Sequence, residues 1–446
     1  MIIRSLKFSQ IHIYIKWGKL INRYVRSLSI FALNQKYLVL KATTYLYILS
    51  VLFYSCSTPS STDKKTEADS LQYNPPPPGK IEEQEFRRFH NKLSSFFDST
   101  LLKSGFNGGI VVAKNGVVLY EKYMGYINLQ KRDSLTDSTS IHIASTSKTF
   151  TSIATLRLVQ EKKLSLDDSL GKYFPRFPYP GITIKMLLSH RSGLPNYIYF
   201  MSNSNWDKNT FATNEDMLKV LYTDKPNKTF TPDSRFSYCN TNYVLLAMII
   251  EKVTGLPFPE YMQQKFFGPL QMKHTYIFTL KDTTTATPSF NYNGNYWDFD
   301  FLDGTYGDKN VYSTPQDLLK WDQALYTDQI ISAAMKDSAF APHSFEHPSV
   351  HNYGLGWRLQ LLPNGKKVIY HFGKWHGFNS AFARLTEEKA TIIILGNKFN
   401  RSIYNSAHLC YDIFGDYLQQ PGNDEGLADA PESPAKAGKH KIKKRR

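Results

Sequence analysis

The stretch IHIASTSKTF, residues 141–150, sets a serine (Ser145) three positions before a lysine (Lys148), just where an apolar helical pattern begins. Within Thr149–Gln160 (TFTSIATLRLVQ), residues Phe150, Ile153, Ala154, Leu156 and Leu158 predict a predominantly apolar helix. Ser145 falls at or beside its N-terminus, where free backbone N–H groups and the positive end of the helix dipole point outward. Lys148 follows one turn on and faces the same side. A serine hydroxyl is a poor nucleophile unless a base removes its proton as it attacks. A lysine serves as that base only when desolvation or a neighbouring cation lowers its pKa. The apolar flank argues for desolvation, but a plain serine cap with a surface lysine fits the same residues. The pair does not decide alone, because Ser-x-x-Lys recurs at Ser61–Lys64 and Ser169–Lys172.

Two further clusters bear on the choice. FTPDSRFSYCNTNYVLLAMIIEKVTG (230–255) places Tyr238 and Asn240 just before a long apolar helix closed by Gly255. On alternate residues of an extended turn, a phenol and an amide project the same way; one can relay a proton and the other can hold a substrate carbonyl or amide. The spacing recurs at Tyr126–Asn128, so it too is weak by itself. HFGKWHGFNS (371–380) alternates His371 and Gly373 along a strand edge, where glycine permits close backbone approach. The N–H groups of Ser145 and Lys374 could then form an oxyanion hole. The competing reading of His371 is a structural histidine in an aromatic-rich strand.

The chain has 446 residues and a formal charge of +16. Residues 1–48 hold eight Lys or Arg and no acidic residue, and the tail from Pro421 nets +3, so the body between carries +5. That distribution points to no nucleic-acid groove. The three cysteines (Cys56, Cys239, Cys410) make neither a disulfide framework nor a spaced zinc site. Cys56 ends TTYLYILSVLFYSC (43–56), an apolar run of signal-peptide length behind Lys36 and Lys41. The pattern predicts a leader over 1–56 with lipidation at Cys56; an uncleaved membrane anchor is the other reading. Residues 1–35 are surplus to such a signal, and the expected start of translation lies further in. Either reading places the remainder outside the cytoplasm, in a bacterial cell envelope, membrane-anchored and facing the periplasm or exterior.

Residues 57–80 are a Ser/Thr/Pro-rich tether with four consecutive prolines, and 421–446 reads as a disordered basic tail. Between them, 81–420 is expected to form one globular unit of the α/β (α+β) class. Residues 81–101 have helical spacing, with Phe86, Phe89, Leu93, Phe96 and Phe97 on one face. Residues 108–126 read as a hairpin about Asn115-Gly116. VIYHFG, NSAFARLT and ATIIILGN (368–397) read as three strands, and 401–418 as a closing helix. The hairpin and the late strands can share one antiparallel sheet, a lobe of about 81–143 and 340–420. Residues 144–339 then form an inserted, all-helical lobe, with a cleft between the two. No pattern points to a metal or an organic cofactor.

Taken together and in this order, Ser145-x-x-Lys148, Tyr238-x-Asn240 and His371-x-Gly373 resemble the penicillin-recognising serine hydrolases, in the branch of class C β-lactamases, D,D-peptidases and esterases. LLSHRSGLPNY (187–197), GPLQMKHT (268–275), GDKNVYSTPQDLLKW (307–321) and YGLGW (353–357) are similar to framework stretches of that family. The resemblance spans about 85–418. It implies an acyl-serine at Ser145, base duty shared by Lys148 and Tyr238, substrate orientation by Asn240, and an oxyanion hole at the Ser145 and Lys374 N–H groups. His371, implied to be catalytic with Ser145, Lys148 and Tyr238, stands where many relatives have lysine, and Phe372 where β-lactamases have a hydroxyl that helps hold the drug's carboxylate. Those departures imply weak or no β-lactam hydrolysis, with a peptide, amide or ester as substrate. Asp233 replaces a glycine usual in relatives, and His190 is expected to be structural. The alternatives are a β-lactam- or peptidoglycan-binding sensor that is acylated without turnover, or a non-catalytic envelope lipoprotein.

Overall fold

The computed structural model describes residues 75–419. The leader with Cys56, most of the 57–80 tether, the Ser61–Lys64 pair and the 421–446 tail lie outside the described residues. Among the described residues no helix is long and apolar enough to cross a membrane.

The first helix, α1 (Glu83–Ser99), carries Glu83 and Glu85 in its first turn, where carboxylates oppose the positive end of the dipole. It buries Phe89, Leu93 and Phe97 and half-buries Phe86 and Phe96, the face its spacing predicts. Strands β1 (Gly108–Lys114) and β2 (Val117–Met124) follow. Asn115 (φ 52°) and Gly116 (φ 72°) both take left-handed conformations between them, as a two-residue hairpin turn requires. A small hairpin, β3 (Tyr126–Asn128) with β4 (Asp133–Ser134), leads to β5 (Ile141–His142).

The middle of the chain is mainly helical. Its principal helices are α2 (Ser147–Gln160), α3 (Thr241–Thr254) and α4 (Pro315–Ala324). It also holds strand pairs. Strands β6 (Tyr276–Ile277) and β9 (Val311–Ser313) join β5 in a three-stranded sheet, and β7 (Ser289–Phe290) pairs with β8 (Tyr296–Trp297). These two- and three-residue strands are too short to show a period of two in sequence.

The last third supplies β10 (His351–Tyr353), β11 (Arg358–Leu361), β12 (Lys367–Trp375), β13 (Phe378–Leu385), β14 (Ala390–Gly396) and helix α5 (Ser402–Cys410). All seven long-sheet strands pair antiparallel, in the order β10-β11-β12-β13-β14-β1-β2. β1 closes on β14 with Gly108 opposite Gly396 and Lys114 opposite Ala390, so the early hairpin and the late strands share one sheet as expected. β10 and β11 are additions; Gly354 and Gly356 interrupt the pattern that would have announced them.

Both faces of the sheet are covered. Ile110, Val112, Ile392 and Ile394 pack with α1 and α5, whereas Val111, Ala113, Ile393 and Leu395 pack with α2, α3 and α4. Double coverage explains why β1 and β14 read as unbroken apolar runs instead of alternating ones. Helix α4 is fastened to the sheet by charge. The fully buried Arg384 of β13 donates from Nε to Asp322 Oδ1 at 2.5 Å, and Thr391 of β14 donates to Asp322 Oδ2 at 2.5 Å.

Candidate active site

Ser145 lies in a single 3-10 turn, Ala144–Thr146, between β5 and α2. Ala144 sits at φ 49°, a left-handed conformation that costs a residue with a Cβ about 1 kcal/mol. Its N–H donates to His142 Nδ1 (3.2 Å), and His142 Nε2 lies 3.1 Å from Asn310 Oδ1. The Asn310 backbone N–H also donates to His142 Nε2 (3.2 Å), so backbone N–H groups hold both ring nitrogens. Burial pushes the His142 pKa down to about 3, so the ring stays neutral in this role. The far side of the turn is held by the sheet. Ser380 Oγ donates to the Ile143 carbonyl (2.6 Å) and lies 2.9 Å from Thr146 Oγ1. Residues 141–156 are all buried except Ser145.

This geometry excludes the helix-cap reading of the opening stretch. The N-cap of α2 is Thr146, without a side-chain cap, and Ser145 Oγ instead accepts from Lys148 Nζ at 3.1 Å. Lys148 is no surface lysine. It is fully buried and also donates to the Asp308 backbone carbonyl (2.8 Å). Its Nζ lies 4.9 Å from the centroid of the Tyr238 ring and 5.7 Å from that of Tyr243. Burial first, with Arg358 adding to it and Asp308 opposing, brings the Lys148 pKa down to about 7. A large fraction of the amine is therefore neutral at neutral pH. The described decoy behaves otherwise: Lys172 is exposed and paired with Asp168, and Ser169 caps a four-residue helix.

Tyr238 and Asn240 end an extended run that enters α3, and Asn240 is the buried N-cap of that helix. The run is pinned by His190, whose Nδ1 accepts the Cys239 N–H at 3.1 Å. The His190 ring packs on Tyr238 with centroids 4.3 Å apart. Burial drives its pKa well below the usual histidine value, so it is a neutral support under the tyrosine. His190, read in the sequence as structural, is fully buried against the run that carries Tyr238.

On β12, His371 is fully buried and reaches the same cluster. Its Nδ1 donates to the Phe372 carbonyl (2.8 Å), so Nε2 accepts from the Tyr353 hydroxyl (3.2 Å). Burial, then the Arg358 and Lys148 charges, push its pKa well below the usual value, and the ring is neutral. Gly373 meets the Ser145 turn directly. A Cβ there would lie 2.4 Å from the Ile143 carbonyl oxygen and 2.8 Å from the Ser145 nitrogen. Glycine is therefore required for the strand to approach that N–H. The Lys374 side chain goes elsewhere, its Nζ 5.4 Å from the Phe399 ring. Phe372 points to the other face of the sheet and packs on His408, Tyr404 and Tyr370. It fills a core there and does not line the site.

Several site residues carried no sequence signal. Asp308 and Lys309 sit beneath Lys148; Tyr197 donates to Asp308 Oδ2 (2.9 Å), and Lys309 donates to Tyr197 (2.7 Å). Arg358, at the start of β11, places its guanidinium 5.3 Å from the Tyr238 ring centroid. His142 was legible only as a neighbour of the serine. Half-buried Asp300 and buried Asp303 and His376 have the proximity of metal ligands. Asp303 already accepts from Trp375 (2.6 Å), His376 (2.9 Å) and the Asp300 N–H (2.6 Å), with the Lys309 cation nearby. These contacts make an internal ion-pair network around Asp303.

The beta-lactamase family model matches residues 99–407. The chain belongs to that family. As a beta-lactamase-family protein it is a β-lactamase-related serine hydrolase with the mixed α/β architecture expected. It is 33% identical over 372 residues to penicillin-binding protein 4* of Bacillus subtilis (strain 168), covering 78% of this chain and 79% of that protein. It is 29% identical over 331 residues to protein flp of Staphylococcus aureus (strain MW2), covering 69% of this chain and spanning 62% of flp. Among solved structures, the octameric penicillin-binding protein homologue from Pyrococcus abyssi superposes with a TM-score of 0.63 at 27% identity, covering 72% of this chain and 76% of that one. Within the family fold, Asp233 takes φ 63°, a conformation that favours glycine. Arg191 offsets the cost, donating to Asp233 Oδ1 at 2.6 Å and to its carbonyl at 2.7 Å.

Proposed function

We propose that this beta-lactamase-family hydrolase cleaves a peptide, amide or ester through an acyl-serine at Ser145, in the manner of a D,D-peptidase or esterase and with weak or no β-lactamase activity. The observation that carries this reading is the fully buried Lys148 amine, with its pKa near 7, 3.1 Å from the one accessible side chain of its segment. In the proposed sequence the neutral amine accepts the Ser145 proton as Oγ bonds to the substrate carbonyl carbon. The carbonyl electrons move to oxygen, facing the N–H groups of Ser145 and Lys374. Collapse breaks the bond to the leaving group, which takes a proton relayed from Lys148 through Tyr238. Water then attacks the acyl-serine by the same route in reverse and releases the acid.

Asn240 is assigned to orienting the substrate amide and His371 to holding the Tyr353–Tyr238 wall as a neutral ring. The neutrality of His371 supports weak recognition of an anionic drug, since that strand position offers no cation. We also propose an envelope location with a lipid anchor at Cys56, which rests on the 43–56 sequence.

The test is intact-mass analysis after a fluorophosphonate probe and, separately, a penicillin, on wild type, Ser145→Ala and Lys148→Ala. A Ser145-dependent phosphonate adduct with rapid release or absence of the penicillin adduct is expected. A penicillin adduct that persists for hours would replace this reading with an acylated sensor. No adduct with either probe would sink the hydrolase mechanism.

A further inference from the structure

We propose that Tyr404 is a positioning residue for the oxyanion hole, its hydroxyl aligning and polarising, from the far face of the sheet, the peptide that carries the Lys374 N–H. The inference rests on the reading of Ser145 as nucleophile, with the Ser145 and Lys374 N–H groups as its oxyanion donors.

The Lys374 N–H and the Gly373 carbonyl belong to one planar peptide unit, and in a trans peptide they point opposite ways. A group that bonds the carbonyl therefore acts on the N–H. Tyr404 of α5 is such a group: its hydroxyl donates to the Gly373 oxygen at 2.8 Å. Asn379 of β13 donates in turn from Nδ2 to the Tyr404 hydroxyl oxygen at 2.6 Å. The amide is itself held, because Asn379 Oδ1 accepts the Asn400 N–H at 2.8 Å and Asn400 Oδ1 accepts the Ser402 N–H at 3.0 Å, where α5 begins. Tyr404 and Asn379 are both buried, and the Tyr404 ring lies 5.6 Å from that of Phe372 on the same face. A chain of donors thus runs from amide to phenol to carbonyl and ends on the N–H assigned to the reacting oxygen.

Two features make this chain more than a core contact. Bonds in series polarise one another: a proton shared with the carbonyl oxygen draws electron density from the peptide nitrogen and makes its N–H a stronger donor. The peptide also needs an external hold. The register of β11 with β12 stops at Arg358 opposite Tyr370, short of Gly373, so the sheet fixes this stretch from the β13 side. Side chains alternate along β13, and Ser380, next after Asn379, faces the Ser145 turn and donates to the Ile143 carbonyl. Adjacent residues of one strand therefore serve the two donors from opposite faces, Ser380 for the Ser145 N–H and Asn379, through Tyr404, for the Lys374 N–H.

The experiment forms the fluorophosphonate adduct of Ser145 in the full chain, in wild type, in Tyr404→Phe and in a chain with 3-fluorotyrosine at position 404. It reads the labelling rate and the phosphorus NMR shift of the adduct, whose phosphonyl oxygen takes the oxyanion position. One oxyanion donor is worth about 10²–10³-fold in rate, and polarisation along a chain changes a bond by about 10–30%. Tyr404→Phe is therefore expected to label roughly two- to eightfold more slowly, with the phosphorus resonance moved to higher shielding. The fluorinated phenol, a stronger donor of nearly the same shape, is expected to move both readouts the other way. A slower Phe variant with an unmoved resonance would mean a merely structural role and overturn the inference. Shifts of the same sign in both variants would overturn it as well, because donor strength would not be the cause. If Phe abolishes the cooperative thermal transition, the fluorotyrosine chain decides alone, and an unmoved resonance there is fatal. Failure of the wild type to label at Ser145 is a different result and strikes at the hydrolase reading itself.

Discussion

Lys148 donates to the backbone carbonyl of Asp308 at 2.8 Å, while the Asp308 carboxylate is engaged with Tyr197 and Lys309. The carbonyl orients the amine without a full counter-charge at the nitrogen. A carboxylate in that position would hold Lys148 as ammonium and disable it as a base.

The first prediction concerns pH. If neutral Lys148 is the base, Ser145 acylation rises through an acid limb with a midpoint near pH 7, the value to which the amine is lowered. Because His190 and His371 are both held well below the usual histidine range, no second limb should appear between pH 5.5 and 8. Lys148→Ala should lower the rate by roughly 10²–10⁴-fold. A pH-independent wild-type rate would contradict the assignment.

A second prediction turns the same shift into stability. The folded Lys148 pKa, about 7, lies below its ordinary value of 10.5. Between those values the unfolded chain binds a proton that the folded chain does not, so this group's penalty is full below pH 7 and fades as pH rises. Lys148→Met should therefore unfold at a higher temperature than wild type at pH 6, with the gap narrowing by pH 9. Calorimetry across that range checks it, and the same variant should have lost labelling.

Gly373→Ala tests the contact between β12 and the serine turn. The new methyl would collide with the Ile143 carbonyl and the Ser145 nitrogen. Overpacking of this kind costs roughly 1–3 kcal/mol, and displacing an oxyanion donor costs about 10²–10³-fold in rate. A variant that is destabilised yet labels at the wild-type rate would remove the Ser145 N–H from the mechanism.

The Arg384–Asp322 pair makes a prediction remote from the chemistry. Both side chains are buried, so Asp322→Ala strands a guanidinium and should cost about 3–5 kcal/mol in denaturant unfolding. Pairing it with Arg384→Met should recover much of that loss, since an apolar pair removes the unpaired charge. Absence of recovery would mean that Thr391 and the geometry of α4, not charge pairing, carry the cost.

Much was legible in one dimension because it depended on local chemistry. The Asn115-Gly116 turn follows from what two residues can do at positive φ, and α1 follows from the spacing of Phe89, Leu93 and Phe97. Ser145, Lys148, Tyr238, Asn240, His371 and Gly373 could be proposed because each motif is short and contiguous. What stayed hidden was β10, β11 and the small strands, whose runs are shorter than any period, and every charged residue that matters by burial. In sequence, Arg358 and Asp308 look like solvated residues beside apolar ones.

The sequence by itself determined the order of elements, the sharing of one sheet by the two ends of the described chain, and the identity of the candidate nucleophile and base. Only the tertiary structure decided that Thr146 and not Ser145 caps α2, that Lys148 is buried against Ser145, and that burial lowers the pKa values of Lys148 and His371. The reason is physical. A residue's kind is carried in its own atoms, but its pKa is set by how much water is taken away and which charges come close, and those are supplied by segments a hundred residues or more away.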